Sequence, residues 1–194
     1  MKITKTIKFY NKNYIALLDR YDSANMSELH NLFDKYILKE HKVLDIGFGS
    51  GRDLRYIKNI TPNIYGIDAS EEFVKSIKRD TFFNNRVYKS ILPHIIDFDF
   101  KFDVIVSIAV FMHLTKEDIK ETIENISKIL EENGKIIISY STKSRIDERD
   151  FYSISKEEMN SIFSDYGFKK IDELSNRDGL NRDIDWESEV YGKN

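Results

Sequence analysis

The sequence predicts an α/β fold: a doubly wound, mostly parallel sheet of seven strands, with helices on both faces and an antiparallel hairpin at the carboxyl end. Two observations carry this. From residue 27 onward, apolar runs of strand length alternate with amphipathic runs of helix length, which is the pattern of a parallel sheet with helical crossovers. The last two apolar runs then follow one another with no helical segment between them, and strands joined without a crossover pair antiparallel.

Each element has a local reason. Leu29, Leu32, Phe33, Tyr36 and Ile37 share one face of a helix predicted over 27–39. Residues 42–46 read as a strand buried on both faces, because it lacks polar alternation. After a glycine turn, Leu54, Ile57 and Ile60 make the next helix face. The second strand covers 63–67, with Pro62 just ahead of it, where a missing amide is tolerated. Ser70 suits the N-cap of a helix to Arg79, and Glu71 and Glu72 sit where the helix dipole favours negative charge. A short third strand covers 86–89 and a fourth 102–107. Thr115 to Asp118 opens a helix as a capping box, predicted to run to Glu132 and end at Asn133-Gly134. A fifth strand at 135–140, a helix capped by Ser155 and ending near Gly167, and strands over 168–174 and 183–191 complete the chain.

Composition excludes several function classes. With no cysteine there is no disulfide framework, no cysteine-ligated iron–sulfur cluster and no thiol nucleophile. The histidines, at 30, 41, 94 and 113, show no metal-ligand spacing, so no metal is expected. A net charge of −3 lacks the one-sided positive field that phosphate backbones select, which disfavours nucleic acid as a partner. No apolar run approaches the roughly 20 residues that cross a bilayer. The basic opening segment has no apolar h-region, so a cytoplasmic protein is expected.

Val43 to Gly51 is a buried strand running into a turn with glycine at every second position, 47, 49 and 51, and then into a helix. Glycine permits positive φ and close approach of a ligand to the backbone, so this turn is a ligand site. The second strand ends in Asp68, 17 positions after Gly51. A carboxylate there can accept from both ribose hydroxyls of a nucleoside, although a turn-forming or capping role stays open for it.

Together these segments resemble the class I S-adenosylmethionine-dependent methyltransferases, whose first motif is matched by Asp45 to Gly51; the likeness runs from about Leu29 to Tyr140. It implies a Rossmann-like fold, S-adenosyl-L-methionine as cofactor and S-adenosyl-L-homocysteine as product. It implies cofactor contacts at Asp45, Gly47, Phe48, Gly49 and Gly51, with Asp68 on the ribose and Ala69 beside the adenine. It also points to Ser90 and Ser107 at the next strand ends. Ser90 stands where such families often carry an acid on the adenine amino group, which leaves that contact unassigned.

The segment from Ser107 to Leu114 resembles the motif flanking the reacting centre in small-molecule methyltransferases and lacks the Asn/Asp-Pro-Pro-Tyr/Phe signature of nucleobase amino methylation. Met112 and His113 are therefore substrate candidates. His113 acts either as a general base or as a loop-orienting hydrogen-bonding group. In the resembling enzymes the segment before strand one folds over the cofactor, which places Tyr14, Arg20 and Tyr21 near its methionine end; simple packing of that segment is the other reading of each. Arg182 and Trp186 belong to a stretch similar to methyltransferases grouped with tellurite-resistance proteins, and join the substrate candidates.

The expected organisation is one domain, 1–194: an N-terminal cap and helix (1–40), a cofactor-binding core (41–141) and a C-terminal helix and strand pair (142–194). The expected function is in-line methyl transfer to a small-molecule acceptor, and the oligomeric state is left open. A nicotinamide-dependent oxidoreductase is the competing enzyme reading, against which position 52 is Arg52, where glycine spacing of the G-x-G-x-x-G type needs its third glycine. A non-catalytic cofactor-binding module is the third.

Overall fold

The computed structural model describes residues 4–142, 145–180 and 182–193, apart from the side chains of 176 and 177. The strands are β1 (Val43–Ile46), β2 (Ile64–Asp68), β3 (Val87–Lys89), β4 (Phe102–Ile108), β5 (Leu130–Tyr140), β6 (Phe168–Arg177) and β7 (Asp185–Lys193). They form one sheet in the order β3-β2-β1-β4-β5-β7-β6. The first five pair in parallel, and β7 lies antiparallel between β5 and β6. The strand order reverses between β1 and β4, so a crevice opens beyond their carboxyl ends.

Among the described residues six α-helices cover the sheet: α1 (Lys5–Asp22), α2 (Ser27–Tyr36), α3 (Arg52–Ile60), α4 (Glu71–Ile77), α5 (Lys116–Ile129) and α6 (Lys156–Asp165). Successive strand residues point to opposite faces. Val43, Val104, Val106 and Ile137 accordingly join α1 to α4 in one core, while Leu44, Ile105, Ile136 and Ile138 join α5 and α6 in the other. No helix fills the stretch from β3 to β4; Phe98 and Phe100 pack there against Tyr65 and Phe102. No helix among the described residues is long and apolar enough to cross a membrane.

The predicted N-caps form, although the box expected at Thr115 does not close, because Asp118 Oδ2 accepts the Thr115 hydroxyl instead. Ser70, Thr115 and Ser155 each accept a first-turn amide, and Ser155 with Glu158 makes a full capping box. Two helices end three residues short of expectation. The helix predicted to Lys39 stops at Tyr36, because Ile37 turns extended and buries itself in the core. Asn133-Gly134 does not end α5: that helix stops at Ile129 and β5 begins at once. Phe102 pairs with Leu130 and Val104 with Lys135, so the residues between bulge out of the ladder. Gly134 serves this bulge, since a β-carbon there would lie 2.5 Å from Leu130 Cγ.

Candidate functional site

A cavity of about 280 Å³ occupies the crevice, lined by the ends of β1, β2 and β4, by α1 and by the loops after β5 and β6. Among the predicted site residues it brings together Gly47, Phe48, Gly49, Asp68, Ala69, Ser90, Met112, His113, Tyr21, Arg182 and Trp186. Five others lie outside its lining. Gly51 packs below the turn, and Tyr14, on α1, is half-buried against the core. Arg20 is exposed. Ser107 is fully buried and donates to the Ile46 carbonyl at 3.2 Å, which ties β4 to β1. Asp45 is buried beneath the turn.

The three glycines of the turn all have positive φ, but they do different work. A β-carbon on Gly47 would stand 2.3 Å from Val110 Cγ2, and one on Gly51 2.5 Å from Ile77 Cδ1. Those two glycines admit other parts of the chain. At Gly49 a β-carbon would meet only Tyr21 at 3.9 Å and the Gly47 carbonyl at 4.0 Å. Gly49 therefore presents bare backbone to the cavity, as a group binding across the turn requires.

Asp68 closes this end. Its Oδ2 accepts from the Gly49 amide at 2.8 Å and its Oδ1 from the Ser70 amide at 2.7 Å. Burial raises its pKa to about 6, against the pull of those two amides. Asp45 is raised well above the carboxylate range by burial and by the nearby Asp53 and Asp68, and its Oδ2 has no hydrogen-bond partner. Ser90 donates to the His94 carbonyl at 2.8 Å. These features fit a nucleoside cofactor: a carboxylate at the β2 end, bare backbone opposite, and Ala69 beside it.

The other end is polar and aromatic. His113, on the short turn after β4 (Phe111–His113), has Nδ1 2.6 Å from the Asp150 carbonyl and Nε2 3.1 Å from the Tyr10 hydroxyl. Nδ1 therefore carries the proton, and Tyr10 donates to Nε2. Burial lowers the His113 pKa to about 4, so the ring is neutral. Arg149 donates to the same Tyr10 oxygen at 3.2 Å and pairs with Asp147. Asp178 holds Trp186 Nε1 at 2.9 Å and Arg182 through two nitrogens. At the strand end leading to this wall, Ala109 has φ 63°, a strained conformation for a residue with a β-carbon.

Both chain ends form the cover. The Asn25 amide donates to the Gly179 carbonyl at 3.0 Å, and the Asp150 amide to Thr6 Oγ1 at 2.9 Å. Tyr10, Arg145, Arg149 and Asp178 were beyond the reach of sequence motifs. Tyr10 lies in an aromatic-rich helix with several candidates, and the other three lie in segments with no periodic pattern.

A methyltransferase-domain family profile matches residues 18–173, and the chain belongs to that family. It is 24% identical over 178 residues to an uncharacterized methyltransferase of Alkaliphilus oremlandii, covering 87% of this chain and 73% of that protein. Among solved structures, it matches the Haloferax volcanii protein crystallised with a methyltransferase activator at a TM-score of 0.77, 18% identity and 94% and 96% coverage of the two chains. It matches the magnesium protoporphyrin IX methyltransferase of Synechocystis, solved with bound SAH, at 0.68, 17% identity and 87% and 80% coverage. TehB of Haemophilus influenzae shares the fold at 0.65, with 16% identity and 87% and 62% coverage.

Proposed function

We propose that the chain binds S-adenosylmethionine across the ends of β1 and β2 and transfers its methyl group to a small-molecule acceptor enclosed at the Tyr10–Trp186 end of the same cavity. The observation that carries this is the single cavity joining a bare-backbone Gly49 and Asp68 at one end to a wall built from both chain ends at the other. When bound, the cofactor supplies an electrophilic methyl on a sulfonium, and displacement needs nucleophile, methyl and sulfur in line.

The chain's own residues bind and orient. Asp68 retains lone pairs for ribose hydroxyls beyond its two backbone amides, and Ala69 borders the base. Ser90 Oγ, already donating to His94, keeps only acceptor capacity toward an adenine amino group. His113 is a neutral ring with both nitrogens occupied, which favours positioning over proton abstraction: it fixes Tyr10 toward the acceptor. Arg182 and Trp186, held by Asp178, form part of the acceptor's lining, next to Met112. The cover over this end excludes water.

Calorimetry with S-adenosylhomocysteine, followed by incubation of the protein with methyl-labelled S-adenosylmethionine and a metabolite extract, tests the proposal. Micromolar-range binding and a labelled small product are the expected results. Stabilisation by a nicotinamide dinucleotide instead would replace this reading with the oxidoreductase one.

A further inference from the structure

Among the described residues, three guanidinium groups line the acceptor end, and one of them has no counter-ion there. Arg182 is committed to Asp178, with Nη2 2.6 Å from Oδ1 and Nε 2.9 Å from Oδ2. Arg149 is committed to Asp147 and Tyr10. Arg145 has no ion-pair partner among the described residues, and its Nη2 is buried without a hydrogen-bond acceptor. Its guanidinium lies 5.1 Å from the ring centre of Phe151 and 5.6 Å from that of Trp186. Asp178 and Asp147, the carboxylates whose charges reach it, are paired with Arg182 and Arg149.

A buried donor with no acceptor is costly, and a guanidinium selects oxyanions through paired, charge-assisted hydrogen bonds. The surroundings point the same way. Burial and the charges of Arg182 and Arg149 push the Arg145 pKa below its ordinary value, outweighing Asp178 and Asp147.

We infer that the acceptor carries an anionic oxygen group, a carboxylate or a phosphate, which seats on Arg145 between Phe151 and Trp186. This rests on the methyl-transfer reading of the same cavity. The other source of such a group is the carboxylate at the amino-acid end of the cofactor.

The test separates these. A small-molecule cell extract is split on an anion exchanger, and each fraction is incubated with methyl-labelled S-adenosylmethionine and the wild-type, Arg145→Met or Arg145→Lys protein; S-adenosylhomocysteine affinity of each protein is measured in parallel. The expected result is labelling confined to the retained fraction. Arg145→Met should lower kcat/KM for it about ten- to hundredfold, the range of a lost charge-assisted contact, with S-adenosylhomocysteine affinity unchanged and Arg145→Lys in between. Labelling only in the unretained fraction overturns the anionic acceptor while leaving methyl transfer standing. Equal loss of S-adenosylhomocysteine affinity in Arg145→Met, in a protein with wild-type circular dichroism, assigns Arg145 to the cofactor and overturns the inference. No labelling in either fraction despite cofactor binding overturns the methyl-transfer reading and this inference with it.

Discussion

The Asp68 carboxylate accepts the Gly49 amide at 2.8 Å, so the residue at the end of β2 also holds the shape of the turn at the end of β1. On the proposed binding mode, ligand binding and fold stability are thus coupled at one side chain. Asp68→Asn keeps one acceptor oxygen and should weaken S-adenosylhomocysteine binding by about 2–3 kcal/mol. Asp68→Ala also strands the Gly49 and Ser70 amides, and should lose a further ~1–3 kcal/mol of folding stability in denaturant titration. Unchanged calorimetric affinity in folded Asp68→Asn would remove Asp68 from the site.

The pH response has a defined sign. Asp68 has a folded value of about 6 against an ordinary 3.8. The free protein therefore keeps a proton that the unfolded chain releases. That stabilisation is complete below about pH 4 and is lost as pH rises through about 6. Asp45, also raised, adds in the same direction. Ribose hydroxyls need the ionised carboxylate, so S-adenosylhomocysteine affinity should fall by up to about tenfold per pH unit below 6. Asp68→Asn should flatten this profile in calorimetry between pH 5 and pH 8.

The turn glycines should separate by phenotype. Gly49→Val fills the cavity face and is strained at φ 53°. It should abolish cofactor binding with a folding loss of about 1–2 kcal/mol. Gly51→Val collides with Ile77 within the core, and should lower the thermal midpoint more. Calorimetry beside thermal denaturation checks both, and normal binding by folded Gly49→Val would remove the turn from the cofactor site.

Tyr10→Phe deletes the hydroxyl shared by His113 and Arg149 without altering the packing of α1. Turnover should fall about three- to tenfold, the worth of a hydrogen bond, with S-adenosylhomocysteine affinity retained. A matching loss of affinity would place Tyr10 in the cofactor site instead.

Glu189 is a stability test away from the cavity. It is fully buried in β7, accepts from Tyr140 and Tyr191 at 3.0 and 2.9 Å, and lies 3.4 Å from Lys170. Glu189→Ala leaves those donors without an acceptor and should cost about 3–5 kcal/mol in denaturant unfolding. Glu189→Gln should cost less, since one oxygen still accepts.

The sheet was legible because its information is local. Ser70, Thr115 and Ser155 announce helix starts, and the apolar runs at 43–46 and 102–107 can only be buried strands. Gly134 was misread because a glycine after a helical run looks the same whether it caps the helix or opens a bulge; only the pairing of Leu130 with Phe102 decides. The same holds in the cavity. Gly49 and Asp68 follow from spacing, whereas Tyr10 and Arg149 meet across 139 residues, and nothing local in either segment signals the partner.

The placement of β7 between β5 and β6 bears on how the protein is made. The strand that follows β6 in the chain takes an interior position, so on the ribosome β5 keeps an open edge, and β6 has no neighbour, until residues 185–193 have emerged. Trp186 arrives with that same strand, so the proposed acceptor wall is finished only at the step that seals the sheet. A nascent chain stalled before residue 185 would already hold the glycine turn and Asp68 of the proposed cofactor site, yet expose a sticky strand edge of the kind chaperones shield.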